Sequence, residues 1–162
     1  MNVVLDAHSM KTLDTYTINR IGIPSMVLME RAALAVANCV KDNISKTDKI
    51  LALAGTGNNG ADAIAAARIL RLWGYEADIV LVGDRQKASL ESINQINIAK
   101  NLGISLYNNV NIKEYTIIID GLFGIGLNQA VRGQFLDYIN EVNKEEKTVF
   151  SVDIPSGISA SN

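Results

Sequence analysis

Apolar and polar positions in the first 45 residues recur at steps of three and four, the spacing of amphipathic helices. This spacing predicts one helix over residues 9–20 and a second from Pro24 to about Lys41. Gly22 interrupts the pattern between them, and Pro24 suits a first helical turn because its missing N–H has no intrahelical partner there. Two helices are therefore expected before the first strand.

From residue 49 onward, short apolar runs alternate with segments of helical spacing. The runs predict strands over 49–54, 77–83, 104–107, 115–120 and 148–153, and the segments between them predict helices over about 61–73, 87–101 and 133–144. Two of the strands, 49–54 and 115–120, are almost continuously apolar, which is typical of strands covered on both faces. The alternation predicts an α/β fold with a mainly parallel sheet and helices on both sides.

Right-handed crossovers limit how such strands are ordered in a sheet. The order we expect is 3-2-1-4-5, with strand 49–54 beside strand 115–120. Ligands of open α/β sheets bind where the direction of winding reverses, beyond the carboxyl ends of the strands. Three loops meet at that point in this topology: 55–62, 120–130 and 153–158.

Composition and charge exclude several classes of protein. The 162 residues are 48% hydrophobic and 20% charged, as expected of one globular domain. A net charge of −2 without a basic run argues against binding to nucleic acid or a membrane surface, and no apolar run approaches the roughly 20 residues of a membrane span. The single cysteine, Cys39, is expected to be buried and fits a reducing cytoplasm.

The first of the three loops is Gly55-Thr-Gly-Asn58-Asn59-Gly60-Ala-Asp62. A strand, a glycine-rich loop and a helix in succession place backbone N–H groups and a helix N-terminus against a phosphate. The glycine spacing alone is a weak signal, and the two asparagines make it sharper. Asp62, in the first turn of the expected helix, either caps that helix or contacts a ligand, and the sequence leaves both open.

The second loop begins with Asp120 at the end of an apolar strand and carries three glycines in the next six residues. Glycines in this position suggest a backbone that approaches a ligand closely. The third loop, Asp153-Ile-Pro-Ser156-Gly157, places a carboxylate and a hydroxyl at the end of the last strand. Both loops also admit a reading as ordinary turns.

Oxygen atoms dominate the chemistry of the three loops. Asn59, Asp120 and Ser156 offer amide, carboxylate and hydroxyl oxygens, which suit a hard cation. A single carboxylate favours a monovalent ion over a divalent one. Asp153 remains as a candidate general acid or base, since proton transfer needs one positioned carboxyl group.

Four motifs in this order make the chain resemble a known family. They are Pro24-Ser-Met-Val-Leu-Met-Glu30-Arg-Ala, Gly-Thr-Gly-Asn-Asn-Gly-Ala-Asp at 55–62, Asp120-Gly-Leu-Phe-Gly-Ile-Gly126 and Asp153-Ile-Pro-Ser-Gly157. The chain resembles the YjeF N-terminal domain, the NAD(P)HX epimerase family. The resemblance implies a Rossmann-like three-layer α/β/α sandwich, preceded by the two N-terminal helices.

The resemblance also implies a potassium-dependent epimerase that interconverts the R and S epimers of hydrated NADH and NADPH. An ADP- or ATP-dependent dehydratase, fused to many bacterial members, then repairs both forms. Carried over by motif, K⁺ would be held by Asn59, Asp120 and Ser156. Asp153 would move the proton in the reaction. The substrate would be contacted by Asn58, Asn59, Gly60, Ala61, Asp62, Gly124, Ile125, Gly126, Leu127, Asn128, Gln129, Ala130 and Asp153.

The chain departs from the family pattern at several positions. Ala61 and Ala63 replace two glycines, which either narrows the approach of the ligand or improves the start of the helix. Gln129-Ala130 stands where Arg-Pro is common. Family members normally carry further strands after the last motif, so we expect a single domain over residues 1–162 that is shortened at its C-terminal end.

Two rival functions stay open at this point. An ordinary NAD(P)-dependent oxidoreductase domain is suggested by the glycine spacing together with Asp84, which lies about where such folds place a ribose-binding acid. A non-catalytic nucleotide-binding module of the same fold is suggested by the departures from the family pattern. The sequence also leaves open a homodimer formed through the N-terminal helices, and a preference for NADHX or NADPHX.

Overall fold

A five-stranded parallel sheet forms the centre of the protein, in the order β3-β2-β1-β4-β5. The structure, a computed structural model, describes residues 6–127 and 129–158. The strands are β1 (Lys49–Ala54), β2 (Glu76–Leu81), β3 (Leu106–Tyr107), β4 (Ile117–Gly121) and β5 (Thr148–Ser151). The predicted order and parallel direction are confirmed.

The helices are α1 (Ala7–Tyr16), α2 (Ser25–Asn43), α3 (Asn58–Leu72), α4 (Leu90–Asn101) and α5 (Gln134–Lys144). A π-helical turn, Thr17–Ile21, continues α1, and short 3₁₀ turns lie at Arg85–Lys87 and Ile112–Glu114. Within the described ranges no helix is long and apolar enough to cross a membrane.

Alternating side chains of the strands build one hydrophobic core on each face of the sheet. Along β1, Ile50, Ala52 and Ala54 join the core beneath α2, α3 and α4, whereas Leu51 and Leu53 join the core beneath α5. Both faces of the central strands are therefore covered, which explains their continuous apolar sequences. The three-layer α/β/α arrangement is confirmed.

The N-terminal helices contribute unequally to this core. Helix α2 packs on α3 through Met29, Ala33, Ala37 and Val40, which recur at helical spacing. Helix α1 instead leaves Met10, Leu13 and Tyr16 about half exposed. Cys39 of α2 is exposed, so the expectation that it is buried is wrong. It follows Ala37, which packs inward, and lies on the solvent side of the helix.

Helix α3 begins three residues earlier than predicted. Gly57, with φ of −89° and ψ of −171°, is its N-cap, so Asn58 opens the first turn. Asp62 consequently lies in the second turn, and the reading of Asp62 as a cap is wrong. The early start brings both asparagines of the loop into the helix, where they share its N-terminal end.

Candidate active site

A cleft of about 800 Å³ lies beyond the carboxyl ends of β1, β4 and β5. Its walls come from the loops that follow these three strands, as the topology predicts, and also from α1 and α2. The volume falls within the range of pockets that hold a small molecule or cofactor, about 300–1,000 Å³. Its polar lining residues include Asn58, Asn59, Asp62, Gln129 and Asp153.

The first wall is the start of α3, which presses against the loop after β1. A Cβ atom added at Gly60 would lie 1.9 Å from the carbonyl oxygen of Gly55, so only glycine fits there. The first intrahelical bond runs from the Ala61 N–H to the Gly57 carbonyl, at 3.1 Å. The N–H groups before it have no carbonyl within the helix to bind, which is the usual property of a helix N-terminus. This end of the helix, with Asn58 and Asn59, faces the cleft.

The second and third loops are tied together by Asp153. Its Oδ2 atom accepts a hydrogen bond of 2.9 Å from the Ile125 N–H. A Cβ atom added at Gly124 would lie 2.7 Å from that same oxygen and 3.4 Å from Oδ1 of Asn59. Gly124 is thus the point where all three loops meet, and a side chain there would displace the carboxylate. Asp153 itself is exposed to the cleft.

Asp62 lies deeper in the cleft, in a poorly solvated position. Burial, and then the neighbouring charge of Asp153, raises the pKa of Asp62 to about 7. Its Oδ1 atom has no hydrogen-bond partner among the described residues, and neither does Nδ2 of Asn59 one helical turn earlier. Buried polar atoms are almost always paired, so both atoms are suited to bind a ligand.

Asp120 and Ser156 form a separate, bonded pair next to the cleft. The Ser156 hydroxyl donates to Oδ1 of Asp120 at 2.6 Å, and the Ser156 N–H donates to Oδ2 at 2.8 Å. The two residues line a smaller cavity of about 260 Å³ and not the main cleft. Phe123 connects the two spaces, since its N–H donates to the Ser156 hydroxyl at 3.0 Å and its side chain lines the cleft.

These donors suit a monovalent cation better than a transition metal. Within the described residues no group of three or more His, Cys, Asp or Glu side chains is placed to hold a metal ion. Asn59, Asp120 and Ser156 offer amide, carboxylate and hydroxyl oxygens with a single carboxylate among them, and the Ser156 hydroxyl lies 2.6 Å from Oδ1 of Asp120. This oxygen-only set fits the potassium ion that the family resemblance implies.

The remaining predicted contact residues are placed as follows. Gly126, Leu127 and Gln129 line the cleft, whereas Gly60 and Ala61 are buried and Ala130 is exposed, and these three do not line it. Asn128 lies outside the described residues.

The alanines that replace family glycines do not narrow the cleft. Ala61 and Ala63 are fully buried, and neither lines the cleft. Ala63 packs against Gly121, where an added Cβ would lie 2.4 Å from the Ala63 Cβ. The sequence left open whether Ala61 and Ala63 narrow the approach of the ligand or improve the start of the helix. Their buried methyl groups support the second interpretation, because they pack in the core.

Asp84, the candidate ribose-binding acid, is engaged in a local turn. Its Oδ1 accepts a 3.0 Å bond from the Gln86 N–H and caps the short turn Arg85–Lys87. It does not line the cleft. This removes the residue that favoured an ordinary oxidoreductase domain.

Sequence reasoning missed the contributions of the N-terminal helices to the cleft. Helix α1 brings Met10, Lys11 and Asp14 to its rim, and α2 brings three small apolar residues, Ala32, Ala35 and Val36. Lys11 is the one basic side chain among the described residues that line the cleft. No local signal in the sequence places α1 there, because the packing depends on contacts distant along the chain.

Comparisons with known proteins agree with this fold. The sequence profile described as YjeF-related protein N-terminus matches residues 25–162. The NAD(P)H-hydrate epimerase of Weissella koreensis is 42% identical over 161 residues, which cover 99% of this chain and 73% of that protein. The NAD(P)H-hydrate epimerase of Oenococcus oeni is 41% identical over 162 residues, which cover 99% of this chain and 77% of that protein.

A solved structure supports the fold. The crystal structure of yeast ynu0, YNL200c, matches with a TM-score of 0.84 and 24% identity, over 96% of this chain and 72% of that chain. The profile match covers most of the chain, and the matches to the two bacterial relatives cover 99% of it. The chain belongs to the family of YjeF-related protein N-termini.

Proposed function

We propose that this protein is an NAD(P)H-hydrate epimerase that interconverts the R and S epimers of NADHX and NADPHX. The observation that carries the proposal is the identity of about 42% with proteins of that name over nearly the whole chain. The cleft supports it, because three loops that bear amide and carboxyl groups close around a space of about 800 Å³. Epimerisation is an isomerisation, so the reaction needs no external oxidant or reductant.

The start of α3 and the loop after β4 are the proposed binding surfaces for the nucleotide. The free N–H groups at the helix N-terminus suit a phosphate, and Asn58 and Asn59 add amide groups beside them. Residues 124–127 and Gln129 form the facing wall. Lys11 on α1 is the proposed cationic contact, since it brings positive charge to a cleft that otherwise holds Asp14, Asp62 and Asp153.

Asp153 is the proposed proton-transferring residue. Its carboxylate is exposed to the cleft, while the Ile125 N–H holds one oxygen in place at 2.9 Å. A fixed orientation and an open second oxygen are what a general base needs. Asp153→Asn is expected to lower epimerisation at least about 100-fold without unfolding the protein, because the amide has the same shape but cannot accept the proton.

Potassium is proposed as the resident cation, with Asn59, Asp120 and Ser156 as its ligands. A bound monovalent cation would supply fixed positive charge beside the reacting ring. Asp120 and Ser156 already lie in contact at 2.6 Å, so one ion can meet both oxygens. Replacing K⁺ with a large organic cation such as tetramethylammonium is expected to reduce turnover, and addition of K⁺ should restore it.

The proposed role is repair of damaged reduced nucleotides together with a dehydratase that consumes the S epimer. The single cysteine is consistent with a reducing compartment such as the cytoplasm. Half-exposed apolar residues on α1, among them Met10, Leu13 and Tyr16, support a homodimer through the N-terminal helices. Light scattering of the protein as it elutes from a size-exclusion column distinguishes monomer from dimer.

A coupled assay tests the function. An equal mixture of R- and S-NADHX is supplied with a dehydratase that accepts only the S epimer. If the protein is an epimerase, the whole mixture is consumed at a rate set by its concentration. Consumption that stops at half, whatever the amount of protein, would instead favour a non-catalytic binding module. Asp42→Asn, at the exposed end of α2, is the matched control for Asp153→Asn.

A further inference from the structure

Asp62 is a cleft residue whose carboxyl group has an unsatisfied hydrogen-bonding atom in the described part of the chain. Its Oδ1 atom is buried and lacks a hydrogen-bond partner among the described residues. Leaving a carboxyl oxygen unpaired in such a place costs about 1–3 kcal/mol, more when it is charged. Nδ2 of Asn59 is in the same condition one turn earlier on α3. Two unpaired polar atoms one turn apart on α3, in residues that line the same cleft, indicate that a ligand completes their hydrogen bonds.

Burial, and then the charge of Asp153, raises the pKa of Asp62 above that of an ordinary aspartate. Asp153, from the loop after β5, faces it and disfavours a second negative charge, which adds to the effect of burial. Helix α1 brings Lys11 and Asp14, of opposite sign, to the rim of the same cleft. The helix dipole offers little compensation at this position, because its effect falls off within the first turn and Asp62 lies in the second.

Other charged groups packed around α3 have partners of their own. Arg68, farther along the helix, binds Glu30 of α2 and Gln95 of α4. At the end of β4, Asp120 is bonded to Ser156. Arg68 is therefore not free to offset a charge on Asp62, and Asp120 is itself a carboxylate and cannot offset one. The cleft therefore contains two carboxyl groups in unlike surroundings, one buried and one exposed, which is the usual arrangement of an acid and a base in one active site.

We propose that Asp62 and Asp153 are the acid–base pair of the epimerisation, and that the bond that breaks is the C–O bond of the hydrated ring carbon. Asp62 donates a proton to the departing hydroxyl group. Asp153 takes a proton from the water molecule that adds to the opposite face of the ring. This assignment rests on the proposed epimerase function.

The chemistry balances without any further reactant. In the hydrate, the hydroxyl-bearing carbon is bonded to the ring nitrogen. As Asp62 gives up its proton, the C–O bond breaks, water leaves with the bonding pair, and the nitrogen lone pair forms a C=N⁺ bond. A water molecule then adds to the other face, the C=N π pair returns to nitrogen, and Asp153 accepts the surplus proton. The return reaction exchanges the two roles, and solvent resets the protons between turnovers.

An isotope experiment on the unaltered protein tests which bond breaks. The S epimer is incubated with the protein in H₂¹⁸O, and in a parallel sample in D₂O, and the R epimer is analysed by mass spectrometry. The expected result is one ¹⁸O atom in each R molecule and no carbon-bound deuterium at the hydrated position. Deuterium on carbon without ¹⁸O would overturn the assignment.

A substitution tests the acid. Asp62→Asn is expected to lower kcat at least 100-fold with KM changed less than threefold, because the amide keeps the contact but carries no transferable proton. The wild-type kcat should fall as pH rises above neutrality, and this limb should be absent from the residual activity of the variant. Asp42→Asn, outside the cleft, is the control with an unchanged kcat.

The possible outcomes distinguish a failure of the acid–base pair from a failure of the proposed epimerase function. A wild-type protein that does not epimerise NADHX refutes the proposed function, and the acid–base pair with it. A wild-type protein that epimerises, combined with an Asp62→Asn variant of nearly equal kcat, refutes the acid–base pair alone. Circular dichroism of the variant shows that a loss of activity does not arise from unfolding.

Discussion

Gly60→Ala is expected to destabilise the protein through a clash with the backbone of Gly55 and to displace the end of α3 that faces the cleft. An added Cβ would lie 1.9 Å from the Gly55 carbonyl oxygen and 2.6 and 2.8 Å from the Gly55 carbonyl carbon and nitrogen. All three are backbone atoms, so no side-chain rotation relieves the clash. Helix α3 and the loop after β1 must separate by about 1.5 Å, the difference between 1.9 Å and the 3.4 Å of ordinary contact.

The cost of this separation follows from known substitutions. Alanine gains about 1 kcal/mol over glycine as a helix former, whereas overpacking costs typically 1–3 kcal/mol and more when backbone must move. Because the clash is with backbone atoms, we take the upper end of that range and expect a net loss of about 2 kcal/mol in the free energy of unfolding. A displacement of the helix N-terminus by more than 1 Å is also expected to lower epimerase turnover about 100-fold.

Urea unfolding followed by circular dichroism measures the effect, with Gly57→Ala as the matched control. Gly57 lies three residues earlier at φ of −89°, and a Cβ added there meets no atom within 4 Å. We expect that control to differ from wild type by less than about 1 kcal/mol. Equal stability of the two variants would refute the close packing of α3 on the loop after β1.

Three further predictions concern the charges of the protein. Glu30→Gln removes the carboxylate that pairs with the largely buried Arg68. Because Glu30 is about half exposed, we expect the free energy of unfolding in urea to fall by only about 1–2 kcal/mol. An unchanged free energy of unfolding would mean that water replaces the carboxylate as the partner of Arg68. Lys11→Ala should raise KM several-fold without changing kcat, and added salt should make this difference in KM smaller. The control Lys100→Ala should leave both KM and kcat unchanged. An unchanged KM in Lys11→Ala would exclude Lys11 from substrate binding. Asp62 has a pKa of about 7 in the folded protein and about 3.9 in the unfolded chain, so the folded state loses stability as pH rises through that range. Between pH 4 and pH 8, the free energy of unfolding of Asp62→Asn should therefore rise by up to about 4 kcal/mol relative to that of the wild type. A difference between the two proteins that does not depend on pH would contradict the burial of Asp62.

The order of the sheet was predictable because two simple rules act together. Apolar runs such as 49–54 and 115–120 identify strands buried on both faces, and right-handed crossovers leave few ways to arrange them. The bounds of α3 were less predictable. Its apolar spacing becomes clear only after Asp62, whereas the helix starts where Gly57 gives the backbone an extended N-cap conformation.

The composition of the site was predictable only in part. Residues at the carboxyl ends of neighbouring strands must lie close together, and Asn59, Gly124 and Asp153 do meet. The positions of Lys11 and the burial of Asp62 depend on how α1 and α3 pack against distant parts of the chain, which a local pattern does not record. Asp120 and Ser156 were expected in the same crevice, but their mutual hydrogen bonds hold them beside the cleft, outside its lining.

The proposed epimerase activity is best tested by the conversion of one pure epimer by the protein alone. Pure S-NADHX is incubated in potassium buffer, and the R epimer is followed by chromatography against a sample without protein. If the protein is an epimerase, R-NADHX appears at a rate proportional to protein concentration until the two epimers reach equilibrium, and Asp153→Asn abolishes this acceleration. Formation of R-NADHX no faster than in the sample without protein would refute the proposed epimerase function.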